Sequence, residues 1–531
     1  MEQQDLHKRL LLALVLSFLV FVGYSFLIPT SSVENSISTA ESTQTSPEAP
    51  RANLPTTSSI EETKAPPIRQ NDDIVLRVVS DNFIWSIDSL GRIFQAELLE
   101  QKYREQDGKP LSLLSSSGVK PLEIRFQDSV INDEAFKKPY EFEKTGELRL
   151  DGEAKKVTLT QRLSDLIVTK ELTFHPNGHY DVRVFTSKPT PYFVTTGSRP
   201  VGDKSIYWVV RGALIKEAKG SIATIEDGDA KGEEVFANAP MVSAFDRYYS
   251  SLFFDFSNGL NVSILKDGDG NPLAFIRGDG DLSFGAYLGP KDYRTLAAIY
   301  PDLTQAIEYG WFTFLAEPFF KVIMWIHGYV GNWGWAIVLF TILVKIVLFP
   351  LSFKGMMSMQ KLKDLAPKLK ELKEKYGDDK AKMNMKMMEM YQKHGANPMG
   401  GCLPLLLQIP VFFALYRVLL NADELQGAPW IFWINDLSRM DPYFILPILM
   451  GVSMYLQQKI TPSNFTDPLQ EKIFKFFPVI VTLFMFTFPS GLVLYWFTNN
   501  LLSIAQQYYI NYAYEKQKQQ EIAAHHKPKE Y

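Results

Sequence analysis

One cysteine, Cys402, is present among 531 residues. No intramolecular disulfide can therefore brace the chain, and any exported part must hold together by packing alone. Carboxylates are missing where they would matter most. The five apolar runs of the C-terminal third, at about 333–353, 401–420, 443–457, 473–489 and 491–510, contain no aspartate or glutamate. That removes the paired acids of an intramembrane aspartyl protease and the usual relay of a proton-coupled transporter. No serine sits in a recognisable catalytic setting, and nucleophile elbows, paired-histidine motifs and phosphate loops are absent. The expectation is a protein that is not an enzyme, without cofactor, bound metal or DNA partner. The net charge of -4 excludes little.

What is present divides the chain sharply. Leu10 to Ile28 is an apolar run preceded by His7, Lys8 and Arg9, about the ~20 residues a bilayer-spanning helix needs. A cleaved signal peptide is the competitor, but Ser25-Phe26-Leu27 makes a poor small-x-small site. Residues 1–28 are read as a retained signal anchor with the N-terminus in the cytoplasm. Residues 29–70 are rich in Ser, Thr, Pro, Glu and Gln, a composition that cannot bury enough surface to offset ordering entropy, so they form a tether.

Residues 71–301 carry strand periodicity. Val157-Thr158-Leu159-Thr160 alternates, and the runs ending at His175 and starting at Tyr180 flank Pro176-Asn177-Gly178, a strong hairpin signal. The Asp267-Gly268-Asp269-Gly270 cluster reads as a tight turn, since the spaced ligands of a calcium loop are lacking. His175 and His179 read as surface polar residues, with no third ligand suggested nearby. A β-sandwich is the plain reading. Residues 302–332 are rich in Trp and Phe and fit an amphipathic helix at the outer interface, against a continuation of the β region.

Residues 333–510 hold the five apolar runs, making six spans with the anchor. Loops 354–393 and 459–475 and the tail 511–531 are basic, whereas 421–441 is mostly acidic. The positive-inside rule then places both termini in the cytoplasm and the β domain outside. Within the loop at 354–395, Leu362, Leu365, Leu369, Leu372 and Tyr376 form a heptad seam, continued after Gly377-Asp378-Asp379 by Met383, Met387, Met390 and His394. This predicts an antiparallel helical hairpin, with Pro367 kinking or starting its first arm. The methionines suit a promiscuous apolar partner or simply fill the hairpin core. The lysines solvate it or meet anionic headgroups or ribosomal RNA.

Lys345 lies near the middle of the second span, where a charge costs roughly 2.5–3.5 kcal/mol. Thr341 is one turn away, Gln408 lies in the third span, and Trp496, Asn500 and Ser503 share a face of the sixth. Converging, they would line a wet groove that attracts a polar or acidic polypeptide segment. The alternative is interhelical hydrogen-bond glue at ~0.6 kcal/mol per contact. Glue accounts for Gln408 and Ser503 as readily as the groove does, but not for Lys345.

Several motifs carry a family resemblance: Tyr287-Leu288-Gly289-Pro290-Lys291-Asp292, Tyr309-Gly310-Trp311 and Gly331-Asn332-Trp333-Gly334, then Asn397-Pro398-Met399-Gly400-Gly401-Cys402-Leu403-Pro404, Gln408-Ile409-Pro410, Asp441-Pro442-Tyr443 and Phe488-Pro489-Ser490-Gly491-Leu492-Val493-Leu494-Tyr495-Trp496. In this order they resemble the YidC/Oxa/Alb membrane protein insertases, in the long Gram-negative form. The resemblance implies a five-helix core in the bacterial inner membrane with a hydrophilic groove open to cytoplasm and lipid, and a periplasmic domain largely dispensable for insertion. It further implies work on nascent membrane proteins within the lipid bilayer, alone or with the SecYEG translocon and its accessory subunits. The hairpin and basic tail would meet nascent chains, targeting factors or ribosomes. Lys345 stands where the family often has arginine, and Trp496 where tyrosine is common. A non-inserting membrane chaperone and a solute transporter are the other functional readings.

Overall fold

A computed structural model describes residues 74–525 except 106, 204–208, 233, 377–378, 395–402 and 462–467. The anchor and tether expected over 1–70, most of the motif beginning at Asn397 and the end of the tail lie outside the described residues.

Nineteen strands among the described residues, from Ile74–Val79 to Leu282–Pro290, form sheets of five, nine and five strands. Their pairing is antiparallel except where Ile74–Val79 meets Gly146–Arg149. Alternation decides which side of each strand is buried. In the nine-stranded sheet, Val157, Leu159, Tyr180, Val182 and Val184 face a core that also takes Trp85 from one smaller sheet and Val194 from the other. Three sheets around one core thus replace the expected two-layer sandwich. The opposite face of the large sheet is apolar as well: Leu214, Leu252, Phe254 and Tyr287 join a second core shared with the C-terminal helices.

The turns form where their residues direct. Ile167–Phe174 pairs with His179–Thr186 across the Asn-Gly turn, with Gly178 at φ +85°, a conformation open to glycine at little cost. Asp267 Oδ1 accepts from the backbone N–H groups of Asp269 and Asn271, so that cluster is a hairpin turn.

Two short helices belong to this region. Helix α1 (Ser129–Lys137) is capped by Asp128 and α2 (Tyr293–Ile299) by Asp292. Two 3-10 turns then lead into α3 (Thr313–Val330), which buries Ala316, Phe320, Ile323 and Ile326 at helical spacing. Its outer side displays Phe314, Trp325 and Tyr329.

Helix α4 (Trp333–Tyr376) is one continuous 44-residue element. The expected span and the first hairpin arm are therefore the same helix, and Pro367 is interior to it. Strong helix formers around the proline, mostly Lys, Leu and Glu, outweigh its missing N–H. Helix α5 (Lys380–Lys393) begins at Asp379, whose carboxylate accepts from Lys382 N. Residues 361–394 pack as a unit of their own. In it Leu362, Leu365 and Met383 are buried, Leu369, Leu372, Met387 and Met390 half-buried, and Met385 and Met388 exposed. Four helices follow: α6 (Leu403–Asn421), α7 (Ile445–Ile460), α8 (Pro468–Met485) and α9 (Ser490–His525). Among the described residues α4 alone is both long and apolar enough to cross a membrane, and the Gln408–Asn421 stretch of α6 is apolar but shorter.

Candidate functional site

Helix α9 carries a buried polar stripe. Asn499, Asn500, Ser503, Gln506 and Gln507 are each at most 9% exposed. Their spacing of three and four keeps them near one side of a 3.6-residue helix. Lys345 of α4, half-buried, donates from Nζ to Ser503 Oγ at 2.7 Å. The serine hydroxyl in turn donates to the Asn499 carbonyl at 2.7 Å. No ion pair of Lys345 occurs among the described residues, as expected where the apolar runs around it contain no aspartate or glutamate.

The other residues singled out from sequence distribute around this contact. Thr341, buried one turn before Lys345, donates to the Ile337 carbonyl at 2.7 Å. Asn500 turns instead to α7, where its Nδ2 reaches Ser453 Oγ at 3.1 Å and the Met450 carbonyl at 3.4 Å. Trp496 faces α6, edge-on to Phe412 with ring centroids 4.9 Å apart. Gln408 is half-buried one turn before Phe412. The structure therefore joins Lys345 to Ser503, places Thr341 beside them, and sends Asn500 and Trp496 to other helices. Sequence reading missed Asn499, Gln507, Gln360 and Asn511. The last accepts from Gln507 at 2.7 Å and also from Gln360, extending the polar line along α4 and α9. Repetition of Asn and Gln at steps of three and four was the available signal.

The motifs behind the family resemblance mostly build joints. Gly331, at φ +65°, ends α3 in the left-handed conformation. Asn332 Oδ1 then caps α4 by accepting from Trp335 N, and its Nδ2 donates to the Pro429 carbonyl. Trp333 stacks on His327 at 4.0 Å. A Cβ at Gly334 would lie 2.2 Å from the Trp430 ring, so only glycine admits that contact. Asp441 accepts from Tyr443 N and Leu446 N at the start of α7. Ser490 donates to the Arg439 carbonyl through both N and Oγ.

A further network joins the β region to the loop after α6. Asp423, fully buried, accepts from Lys102 Nζ at 3.0 Å, Tyr103 Oη at 2.6 Å and Gln426 Nε2 at 2.6 Å. Glu424 accepts from Tyr293 N, Arg247 Nε donates to the Leu420 carbonyl at 2.6 Å, and Arg417 pairs with Glu308. Burial, reinforced by the neighbouring carboxylates Asp292 and Asp423, pushes the Glu424 carboxyl up to about 8.

An apolar helix long enough to cross a bilayer, packed among further helices with a buried polar stripe that share a core with a large β region, fits an integral membrane protein with an extramembrane domain. The comparisons identify which. The family model described as 60Kd inner membrane protein matches residues 325–518, and that of the YidC periplasmic domain matches residues 277–322. The membrane protein insertase YidC of Wolinella succinogenes is 48% identical over 522 residues, covering 97% of each chain. That of Campylobacter jejuni is 49% identical over 515 residues, 96% of this chain and 97% of the relative. That of Helicobacter pylori is 44% identical over 545 residues, 98% of each. The chain belongs to the YidC family of membrane protein insertases. It is an inner-membrane insertase with a periplasmic domain.

Proposed function

We propose that α4 and α6–α9 are the five spans of an insertase core and that, with the anchor, the chain crosses the membrane six times with both termini cytoplasmic. The polar stripe of α9 and Lys345 line a groove open to the cytoplasm. A hydrophilic segment of the substrate enters it and keeps polar contacts, while Lys345 attracts its acidic groups. The substrate's apolar helix then moves into lipid, and burial of its surface drives the step. The observation that carries this reading is the Lys345–Ser503 contact: a cation held by a neutral hydroxyl at 2.7 Å, its charge uncompensated and available to a passing carboxylate. The exposed aromatics of α3 suit the outer membrane interface. The lysine-rich hairpin and tail suit nascent chains, targeting factors or ribosomes, and larger substrates are handed over together with the SecYEG translocon.

The test replaces the native protein by Lys345→Ala or Lys345→Arg in a depletion strain and follows insertion of a small substrate whose translocated segment is acidic. Arginine is expected to support insertion and alanine to slow it. Full insertion of every substrate by the alanine variant would remove the charge-based mechanism. Purified protein in liposomes that inserts nothing would favour a non-inserting chaperone, and saturable small-solute uptake a transporter.

A further inference from the structure

The hairpin Ile167–Phe174/His179–Thr186 brings together three side chains whose chemistry the insertase reading does not use. His175 and His179 close the turn, held opposite each other by the backbone bond from His175 N to His179 O at 2.9 Å. Asp181 is two residues further along the strand and so on the same face as His179. The two imidazoles lie nearly parallel, with centroids 4.5 Å apart. Both turn Nε2 toward one carboxylate: His175 Nε2 is 2.8 Å from Asp181 Oδ2, and His179 Nε2 is 3.3 Å from Asp181 Oδ1. The second approach fails hydrogen-bond geometry, so His179 Nε2 is buried without a hydrogen-bond partner. One donor atom from each residue can be chosen so that all three lie within 4.8 Å of one another.

We propose that His175, His179 and Asp181 are the three protein ligands of a divalent transition-metal site of the zinc class. Ligands at about 2.0–2.2 Å from a tetrahedral zinc stand roughly 3.3 Å apart. The imidazole–carboxylate approaches here are 2.8 and 3.3 Å, and the three chosen atoms fall within 4.8 Å, so small side-chain adjustments bring the set onto one ion. Two imidazoles and one carboxylate suit zinc, copper or nickel, whereas calcium and magnesium favour all-oxygen sets. The remaining position takes water, for which there is room: His179 and Asp181 also line a cavity of about 560 Å³ bordered by Phe254, Phe256 and Tyr300. The expectation of two surface histidines without a third ligand nearby overlooked Asp181, which stands two residues past His179 and on its face by strand alternation.

The test uses untagged, full-length protein in detergent, freed of metal by chelation, with His525→Ala and His526→Ala removing the tail pair. Cobalt is titrated and its visible absorption followed, together with thermal melting. One cobalt per chain with a tetrahedral spectrum, displaced by zinc, is expected. His175→Ala, His179→Ala or Asp181→Asn should weaken binding by more than about 100-fold, since even outer-shell changes cost ~10–100-fold, and should abolish the rise in melting temperature with metal. No saturable cobalt band in the parent protein overturns the proposal. So does equal binding by His175→Ala/His179→Ala, whose melting without metal verifies that it is folded.

Discussion

Removing the carboxylate of Asp423 should loosen the β region from the helices, by an amount that follows from its contacts. The group is fully buried and accepts from Lys102, Tyr103 and Gln426. Burial raises it above the ordinary carboxylate range, against the opposing pull of Lys102 and Tyr103. The pair is therefore worth little relative to an apolar replacement of both partners, but breaking it from one side takes from Lys102 its one direct ion-pair partner, leaving only the more distant Glu100 and Asp292, and costs about 3–5 kcal/mol. The Lys102 side chain is 29% exposed and recovers some hydration, which places Asp423→Ala near the lower end, about 3 kcal/mol. Asp423→Asn keeps one acceptor and should lose about half as much. At ~2–4 °C per kcal/mol for a domain of this size, the alanine variant should melt roughly 6–12 °C lower in detergent. Proteolytic cleavage near residue 423 should appear early. Adding Lys102→Met should restore part of the loss, because it removes the stranded charge. A melting point within about 2 °C of the parent, or no recovery in the double variant, would refute the reasoning.

Two further outcomes follow from neighbouring geometry. With its carboxyl pushed from the ordinary 4.5 to about 8, folded Glu424 holds a proton that the unfolded chain has already released between those values. Its contribution therefore falls as pH rises from about 4.5 to 8 and is level outside that window. Glu424→Gln should flatten this slope and raise the melting temperature at pH 8.5 relative to the parent, while changing little at pH 4. On α7, a Cβ at Gly451 would lie 2.0 Å from Thr482 Oγ1 of α8, a helix approach that small residues allow. Gly451→Val should cost about 1–3 kcal/mol by overpacking, read as lowered thermal stability in detergent, and Thr482→Ala should partly rescue it.

Local pattern carried much of the architecture. Period-two alternation and the Asn-Gly turn located the central hairpin, and apolar runs marked the helical third. These signals are legible because each depends on residues a few positions apart, whose side chains must share one face of a strand or helix. Motif order pointed to the family for a related reason: caps and close contacts at Asn332, Gly334, Asp441 and Ser490 tolerate few alternatives.

Contacts between distant segments were not legible. Neither the wrapping of a nine-stranded sheet by two others nor its use of both faces follows from alternation, which says that a face is apolar but not what covers it. The run of α4 through Pro367 depended on the strength of its surroundings, which a rule about single prolines does not weigh. Lys345 was conspicuous as a charge in an apolar run. That it rests on Ser503, while Asn500 turns to α7, depended on how three helices rotate against one another. Asp423 meets Tyr103 across 320 positions. Periodicity sets which side of an element is buried, but the identity of the partner is a property of packing, where many weak contacts are satisfied at once.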